Sequence, residues 1–180
     1  MAIGEFTKVF LEQIRRGDTV LDLGTGSGEF SQMFADRGAR VTAVDVRMPD
    51  DLDDAIVPKK MSVQDFIAET KDEQYDEIFL RNIIQFLDKQ WVLDSLVPWL
   101  QDHVRAGGVV GIQTFYEEPR PPFDHPRKSL YSLEELAVAF PTWPELYREE
   151  REREGPDMEG NIRRFFIASL IVKKTRDEVS

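Results

Sequence analysis

The 180-residue sequence contains no cysteine and only two histidines, His103 and His125. Without thiols the chain cannot form disulfides, bind zinc or iron–sulfur clusters through cysteine, or use a thiol nucleophile. Two histidines are too few to indicate a histidine-rich metal site. We therefore expect no metal ligands and no cysteine chemistry.

The sequence also has a deficit of positive charge, with 23 lysines and arginines against 34 acidic residues and a net charge of −11. This balance argues against a nucleic-acid-binding surface and against docking on anionic lipid. A small anionic ligand is still compatible, because the charge at one pocket can oppose the charge of the whole. No apolar run approaches the roughly 20 residues of a membrane span, and the N-terminus does not read as a signal peptide. We expect a cytoplasmic protein.

The length predicts a single domain, and apolar runs alternate with helical patterns, which favours an α/β fold with a mostly parallel sheet. Pro98 should kink or break the helix that contains it. Ser132 and Glu135 form a predicted capping box. Loops are expected at 49–58 and at the proline-rich residues 116–128. Strands are predicted at 19–23, 40–46, 61–63, 75–80, 109–115, 143–153 and 162–174, and helices at 6–14, 28–37, 66–69, 89–103 and 132–140.

A glycine-rich segment follows the first predicted strand and reads Asp22-Leu23-Gly24-Thr25-Gly26-Ser27-Gly28. Glycines let a ligand approach the main chain, and the next helix offers free N–H groups. Glu29 stands where a dinucleotide fingerprint needs its third glycine, and a P-loop would need G-K-[ST]. A tight turn without a ligand is the alternative interpretation.

Two acidic residues favour a nucleoside that carries a cationic amino-acid tail. Asp22 would place a carboxylate near the ligand, where an ammonium group binds better than a pyrophosphate. Asp45 ends the second predicted strand about twenty residues after Gly24, where an acid accepts hydrogen bonds from the hydroxyls of a ribose.

On these residues the sequence resembles the class I S-adenosylmethionine-dependent methyltransferases over about residues 18–115. The matching segments are the glycine loop, 41–46 as the ribose-binding strand end, 62–66 around an adenine-contacting acid, 75–82 as the fourth-strand motif, and 106–110 before strand five. The resemblance implies a single-domain, doubly wound, Rossmann-like fold with a seven-stranded, mostly parallel sheet and a C-terminal antiparallel hairpin. It also implies S-adenosylmethionine as the cofactor and S-adenosylhomocysteine as the product.

The resemblance divides the expected domain, residues 1–180, into an N-terminal helix (1–17), a cofactor-binding half (18–115), a substrate-side half (116–174) and a tail (175–180). The implied cofactor-binding residues are Asp22, Gly24, Thr25, Gly26, Ser27, Gly28, Asp45, Val46, Gln64, Asp65, Phe66, Arg81 and Asn82. Candidate substrate contacts are Tyr116, His125, Arg163 and Arg164. No residue stands out as a catalytic base.

The C-terminal third is similar to the small tellurite-resistance-type (TehB-like) methyltransferases, through residues 143–149, 157–161 and 164–168. That family has a His-Arg pair before the hairpin turn, whereas residues 153–156 here read Arg-Glu-Gly-Pro. The resemblance therefore implies the fold and the cofactor, but tellurite or selenite does not follow as a substrate. We expect methyl transfer to a small-molecule acceptor, without a nucleic-acid or membrane partner, and the sequence indicates no oligomeric state.

Two alternative functions are compatible with parts of the pattern. A Rossmann-type oxidoreductase would bind a nicotinamide dinucleotide, but Glu29 speaks against it. A non-catalytic module could keep the fold only as a scaffold, although the intact glycines and Asp45 disfavour this. Methylation of nucleic acid or protein is a lesser possibility, since no N-P-P-Y-type segment follows the fourth strand.

Overall fold

The computed structural model describes residues 3–120, 129–157 and 159–176. The strands in these ranges are β1 (Thr19–Leu23), β2 (Arg40–Asp45), β3 (Ile56–Lys60), β4 (Tyr75–Arg81), β5 (Val104–Arg120), β6 (Glu145–Pro156) and β7 (Ile162–Lys173). They form one sheet in the order β3-β2-β1-β4-β5-β7-β6. The first five strands are parallel, and β7 lies antiparallel between β5 and β6. The predicted α/β fold with a mostly parallel seven-stranded sheet and a C-terminal hairpin is confirmed.

Helices cover both faces of this sheet. On one face, α1 (Glu5–Gln13) and α2 (Glu29–Asp36) pack over buried side chains that include Val41 and Phe79. The other face is covered by α3 (Val63–Glu69), α4 (Lys89–Trp91), α5 (Val97–His103) and α6 (Leu133–Val138). Among the described residues, no helix has both the length and the apolar character needed to cross a membrane.

The centre of the sheet is apolar on both sides because both faces are covered. Ile78, Phe79 and Leu80 of β4 are fully buried. The Phe79 ring packs against the Phe10 ring of α1, with 4.7 Å between ring centroids. Gly111 of β5 leaves room for this helix, since a Cβ there would lie 2.7 Å from Cδ2 of Phe10. The packing fixes α1 across β4 and β5.

The third strand lies earlier than the sequence predicts. It was expected at residues 61–63, but it occupies Ile56–Lys60 and so overlaps the predicted loop 49–58. β3 is the edge strand, and four of its five residues are exposed, so it lacks the apolar run of a buried strand. Pro58 is tolerated there because an edge strand has a free side in the hydrogen-bond ladder. Residues 61–63 instead lead into α3, with Ser62 as its N-cap.

The fifth strand is longer than predicted. β5 begins at Val104 and extends to Arg120, so Tyr116 and Pro119 lie in a strand and not in the expected loop 116–128. Its pairing with β7 shifts register on either side of Glu117, and irregular pairing of this kind accommodates a proline. Residues 121–128, which include His125, lie outside the described part of the chain.

Two local predictions about helices are confirmed. The predicted helix 89–103 is interrupted by a π-helical turn, Val92–Leu96, between α4 and α5. Pro98 follows this turn and has no N–H to donate to the carbonyl four residues earlier, which explains the irregularity. Ser132 caps α6 and forms the predicted capping box with Glu135.

Candidate functional site

The glycine loop connects β1 to α2 at the carboxyl edge of the sheet, where ligands bind in open α/β folds. The backbone N–H groups of Gly24 and Thr25 both donate to the carbonyl of Val44, at 2.8 and 3.2 Å. Gly24 has a φ of +80°, and a Cβ there would lie 2.8 Å from Cβ of Ile83. Because of this contact and this backbone angle, no larger residue fits the loop at position 24 without a rearrangement.

Gly26 forms the open part of the same loop. Its φ is +58°, and nothing lies within 4 Å of where a Cβ would project. Its N–H donates to Oδ2 of Asp45 at 3.0 Å, which ties the loop to the end of β2. Ser27, next to it, is exposed. The loop therefore presents bare main chain toward the space beside Asp45.

Asp45 combines a structural role with free acceptor capacity. Besides accepting from Gly26, its carboxylate accepts from the backbone N–H of Arg47 through Oδ1 at 2.9 Å. Each carboxylate oxygen has a further lone pair, and the side chain is only half-buried. Val46 follows it with 60% of its surface exposed. An acceptor pair beside an exposed apolar side chain suits a sugar that carries a flat base.

Asp22 lies beneath the loop and not on its open surface. Its side chain is buried and accepts a hydrogen bond from Oγ of Ser31 at 2.6 Å, while Ser31 is also bonded to Oγ1 of Thr25 at 2.8 Å. Burial raises the pKa of Asp22 to about 6, against the opposing effect of these hydroxyls. The three side chains hold the end of β1, the loop and α2 together.

The predicted adenine-side residues lie in the first turn of α3. Gln64 and Asp65 are exposed. Asp65 completes the N-terminal cap: its N–H donates to Oγ of Ser62 at 3.0 Å, and the Ser62 hydroxyl donates to its carboxylate at 2.7 Å. Phe66 is buried and contacts the Trp99 ring, with 6.0 Å between centroids, so its side chain belongs to the core.

Arg81 is the last residue of β4, and Asn82 follows it at the carboxyl edge of the sheet. Nε of Arg81 donates to Oε1 of Gln113 at 2.9 Å, and its guanidinium lies 4.5 Å from the centre of the Phe30 ring. Asn82 has a φ of +56°, the one positive value at a non-glycine among the described residues, and its N–H donates to the Gln113 carbonyl at 2.8 Å. Strain of this kind is often found where a chain turns into a functional site.

A cavity of about 580 Å³ opens beyond Arg81 and Asn82, between the strand ends and the hairpin. This volume lies in the usual range of small-molecule sites. Its wall is apolar on one part and polar on another. The apolar lining residues are Phe86, Phe115, Pro156, Phe165 and Ile167, and the polar ones are Arg81, Asn82, Gln85, Gln113, Arg151, Arg153, Asp157 and Glu159.

Of the predicted substrate residues, Tyr116, Arg163 and Arg164 lie in the described part of the chain, and none of these three lines the cavity. Nε of Arg163 donates to Oδ2 of Asp157 at 2.5 Å, and Asp157 itself lines the cavity. Arg164 points to the opposite face of the hairpin, near Glu154. Tyr116 packs against Phe166. His125 lies outside the described residues.

Several lining residues were not predicted from the sequence. Arg151 and Arg153 alternate along β6 and therefore share a face, but they lie in the run 149–154, which reads as a solvated acidic segment. Gln113 interrupts the apolar run of β5, and a buried polar residue at such a position is itself a signal. Its amide donates to Oγ of Ser169 at 2.8 Å.

A second cavity, of about 250 Å³, lies at the other edge of the sheet. It is bordered by Asp18, Asp76 and Glu77 among others, and none of the loop residues described above lines it. Among the described residues, no group of three or more histidine, cysteine or acidic side chains is arranged to hold a metal ion.

Comparison with known proteins gives a family and a set of similar folds. A family model described as a methyltransferase domain matches residues 2–152. No curated protein sequence matches the chain significantly. Among solved structures, TehB from Haemophilus influenzae superposes with a TM-score of 0.76 at 22% identity, over 97% of this chain and 63% of that one. The chain thus spans less than two thirds of the length of TehB.

Two further structures share the fold. The 1,6-didemethyltoxoflavin-N1-methyltransferase of Burkholderia thailandensis, solved with bound 1,6-didemethyltoxoflavin and S-adenosylhomocysteine, gives a TM-score of 0.66 at 17% identity, over 94% of this chain and 76% of that one. An S-adenosylmethionine-dependent methyltransferase from Archaeoglobus fulgidus gives 0.69 at 14% identity, over 93% of this chain and 90% of that one.

Proposed function

Because this chain belongs to the methyltransferase-domain family, we propose that it is an S-adenosylmethionine-dependent enzyme that methylates a small-molecule acceptor held in the cavity beyond Arg81 and Asn82. The observation that carries the proposal is the position of this cavity. It begins at the end of β4, next to the glycine loop, and its volume of about 580 Å³ suits a small organic molecule. Its lining is built from strand ends and the hairpin.

The residues at the glycine loop fit the proposed cofactor. A Cβ at position 26 would fill the open space where a ligand could approach the main chain. The Asp45 carboxylate has acceptors for ribose hydroxyls, and the exposed Val46 offers an apolar surface to a base. Gln64 and Asp65 would contact the far side of the base, and Phe66 could contribute only through its main chain, since its ring is in the core.

The methionine part of the cofactor would lie toward Arg81 and Asn82, above the loop residues Gly24 to Gly28. When bound, the cofactor supplies a methyl group on a cationic sulfur, and the carbon–sulfur bond pair stays with the sulfur as the acceptor's lone pair forms the new bond. The chain's own residues hold the two reactants in line and exclude water, which can contribute several kcal/mol. The acceptor's proton, where it has one, leaves to solvent or to a neighbouring base.

We propose that the domain, residues 1–180, works as two halves. Residues 18–115 hold the cofactor, and residues 116–174 supply most of the acceptor side, through β6, β7 and the turn between them. The helix in 1–17 packs against the sheet, and 175–180 is a tail. A cytoplasmic location is part of this proposal, because the methyl donor is a cytoplasmic metabolite, and cell fractionation would test it.

Calorimetry with S-adenosylmethionine and S-adenosylhomocysteine tests the proposal directly. We expect binding in the micromolar range to the folded wild-type protein and a clear loss in Asp45→Asn, since an amide donates where the carboxylate accepts. Tighter binding of a nicotinamide dinucleotide would instead support an oxidoreductase. Release of S-adenosylhomocysteine across a panel of small acceptors then distinguishes an enzyme from a non-catalytic binding module.

A further inference from the structure

Three arginines from two distant parts of the sequence converge on the acceptor cavity. Arg81 comes from the end of β4, and Arg151 and Arg153 come from the same face of β6. A cluster of guanidinium groups is costly unless something compensates its charge. Carboxylates within ion-pair distance would provide that compensation.

The carboxylates near the cavity leave two of these arginines without an ion pair. Oε2 of Glu149 lies 3.3 Å from Nε of Arg151. Among the described residues, no carboxylate lies within ion-pair distance of Arg81 or Arg153.

The two remaining acids on the cavity wall do not reach these two guanidiniums. Asp157 is engaged by Arg163 at 2.5 Å, and Glu159 lies at the exposed hairpin turn.

The arginines also act on one another. Burial lowers the pKa of Arg81 most, and the nearby positive charge of Arg153 lowers it further. Glu29 opposes this, Arg151 adds a smaller lowering, and Asp22 has the smallest opposing effect. Arg81 is held in place by Gln113 and by the Phe30 ring, and Arg153 by the Phe165 ring at 5.6 Å. Arg81 and Arg153 are therefore held in place without a carboxylate at ion-pair distance in the described part of the chain, which is an arrangement that an anionic ligand stabilises.

One part of the cavity wall is apolar and mostly aromatic. The Phe115 and Phe165 rings lie 6.1 Å apart, with Ile167 beside them on the cavity wall. Phe86 is 51% exposed although it is a large apolar side chain. Phe115, Phe165 and Ile167 are buried, so Phe86 offers most of the apolar surface that a ligand can reach. A bare inorganic oxyanion would use the arginines and leave this ring uncovered. A ligand with a flat apolar body would cover it.

On the basis of the proposed function, we infer that the acceptor is an organic carboxylate with a flat, apolar or aromatic body. Its carboxylate would lie at Arg81, Arg151 and Arg153, and its body would contact Phe86 and Phe165. Carboxylates bind arginine through paired, charge-assisted hydrogen bonds, which a neutral amide cannot form. The charged part of the cavity wall thus indicates the carboxylate of the acceptor, and the apolar part indicates its flat body.

The test is a binding comparison between matched probes. Benzoate, salicylate and naphthoate are titrated by calorimetry into the wild-type protein, with and without S-adenosylhomocysteine, beside their carboxamides. We expect each carboxylate to bind about tenfold or more tightly than its amide. Naphthoate should bind more tightly than benzoate because its body covers more of the apolar wall. Equal binding of amides and acids, or no binding of any carboxylate to protein that binds S-adenosylhomocysteine, would overturn the inference.

Variants assign the binding to the proposed residues. Arg153→Gln should weaken carboxylate binding about tenfold and leave the affinity for S-adenosylhomocysteine unchanged. Arg148→Gln is the matched control, because Arg148 lies on the same strand but pairs with Glu145 and Glu134. Phe86→Ala, at an exposed position, should reduce the preference for naphthoate over benzoate. Equal effects of Arg148→Gln and Arg153→Gln would contradict the inference.

The outcomes separate this inference from the proposed function. If S-adenosylmethionine does not bind but carboxylates still bind in a manner that depends on Arg153, the cofactor proposal fails and the anion site stands. Inorganic phosphate has no apolar body, so it should displace naphthoate less effectively than benzoate does. If S-adenosylmethionine binds but phosphate and benzoate displace naphthoate equally well, the enzyme proposal stands and the apolar part of the inference fails.

Discussion

Gly26 and Gly17 share a left-handed backbone and an absence of neighbours, but they lie at opposite edges of the sheet. Their φ values are +58° and +93°, and a Cβ at either position would meet no atom within 4 Å. An alanine at either site therefore carries a similar backbone cost, about 1–2 kcal/mol, without a clash. What distinguishes the two positions is the ligand proposed to lie against Gly26.

We therefore expect Gly26→Ala to weaken S-adenosylmethionine binding about tenfold or more, while Gly17→Ala leaves it unchanged. Both variants should lose a similar, small amount of the free energy of unfolding. Calorimetry gives the affinities, and urea denaturation gives the stabilities. Equal cofactor affinity in the two variants would show that the loop main chain does not contact the ligand.

At the level of secondary structure, the buried elements follow from the sequence, whereas the edge strand β3 and the proline-containing end of β5 do not. β1 and α2 lie where the apolar pattern and the glycines place them, because burial on both faces demands continuous apolar residues. β3 is missed because an edge strand needs no apolar run, and the end of β5 is missed because Pro119 normally marks a loop.

In the candidate site, the glycine loop and Asp45 could be predicted from the sequence, whereas the acceptor wall could not. The glycine loop and Asp45 carry a local pattern that relates directly to a backbone conformation and to a ligand group. The acceptor wall carries no such pattern, since Arg81 and Arg153 are brought together only by the pairing of distant strands. Alternation along β6 predicts that Arg151 and Arg153 share a face, but only the fold shows which face is inside.

The turn between β6 and β7 depends on one carboxylate. Asp157 accepts hydrogen bonds from the N–H groups of Glu159 and Asn161, both at 2.9 Å, and from Arg163 at 2.5 Å. These partners, the Arg163 guanidinium first, lower the pKa of Asp157 to about 2. Because the folded pKa is depressed, this contribution to stability is complete above the unfolded pKa and is lost as the pH falls toward about 2.

We expect Asp157→Asn to loosen this turn, because an amide cannot pair with Arg163 and can accept through one oxygen only. The measurement is hydrogen exchange at the backbone amides of Glu159 and Asn161, which should become faster. Glu154→Gln is the control, since Glu154 is an exposed partner of Arg164 on the same hairpin. Unchanged exchange in Asp157→Asn would mean that the backbone alone holds the turn.

For the whole molecule, the net charge of −11 conceals an uneven distribution. The run 149–154 reads as an acidic segment, but the structure places Arg151 and Arg153 of this run on the cavity wall. Arg81 also lines the cavity, whereas Arg164 faces the other side of the hairpin. Alternation in β6 thus places Arg151 and Arg153, together with Glu149, on one face and Glu150, Glu152 and Glu154 on the other.

At the opposite edge of the sheet from the arginine-lined cavity, the protein buries an acidic side chain. Glu77 of β4 is 4% exposed, and its Oε2 has no hydrogen-bond partner among the described residues. Burial raises the pKa of Glu77 to about 9, and the neighbouring Asp18 and Asp76 add to the effect. The folded protein therefore keeps a proton here that the unfolded chain loses near its ordinary pKa of about 4.

A raised folded pKa means that stability is greatest below the unfolded pKa and declines as the pH rises toward about 9. Asp22, with a pKa of about 6, contributes a decline of the same sign that is complete near neutral pH. We therefore expect the wild-type free energy of unfolding to keep falling from about pH 7 to about pH 9. Glu77→Gln, which is neutral throughout, should be flatter and more stable by a few kcal/mol at about pH 8.

Urea denaturation at several pH values in this window provides the comparison, with Glu12→Gln as the control, because Glu12 is an exposed acid at the border of the same cavity. The control should keep the wild-type slope. The gain in stability of Glu77→Gln should grow with pH, because it comes from the loss of a proton by the unfolded wild-type chain and not from a new contact in the folded state. A constant offset between Glu77→Gln and wild type across the window would mean that Glu77 is ionised in the folded protein and stabilised there by water.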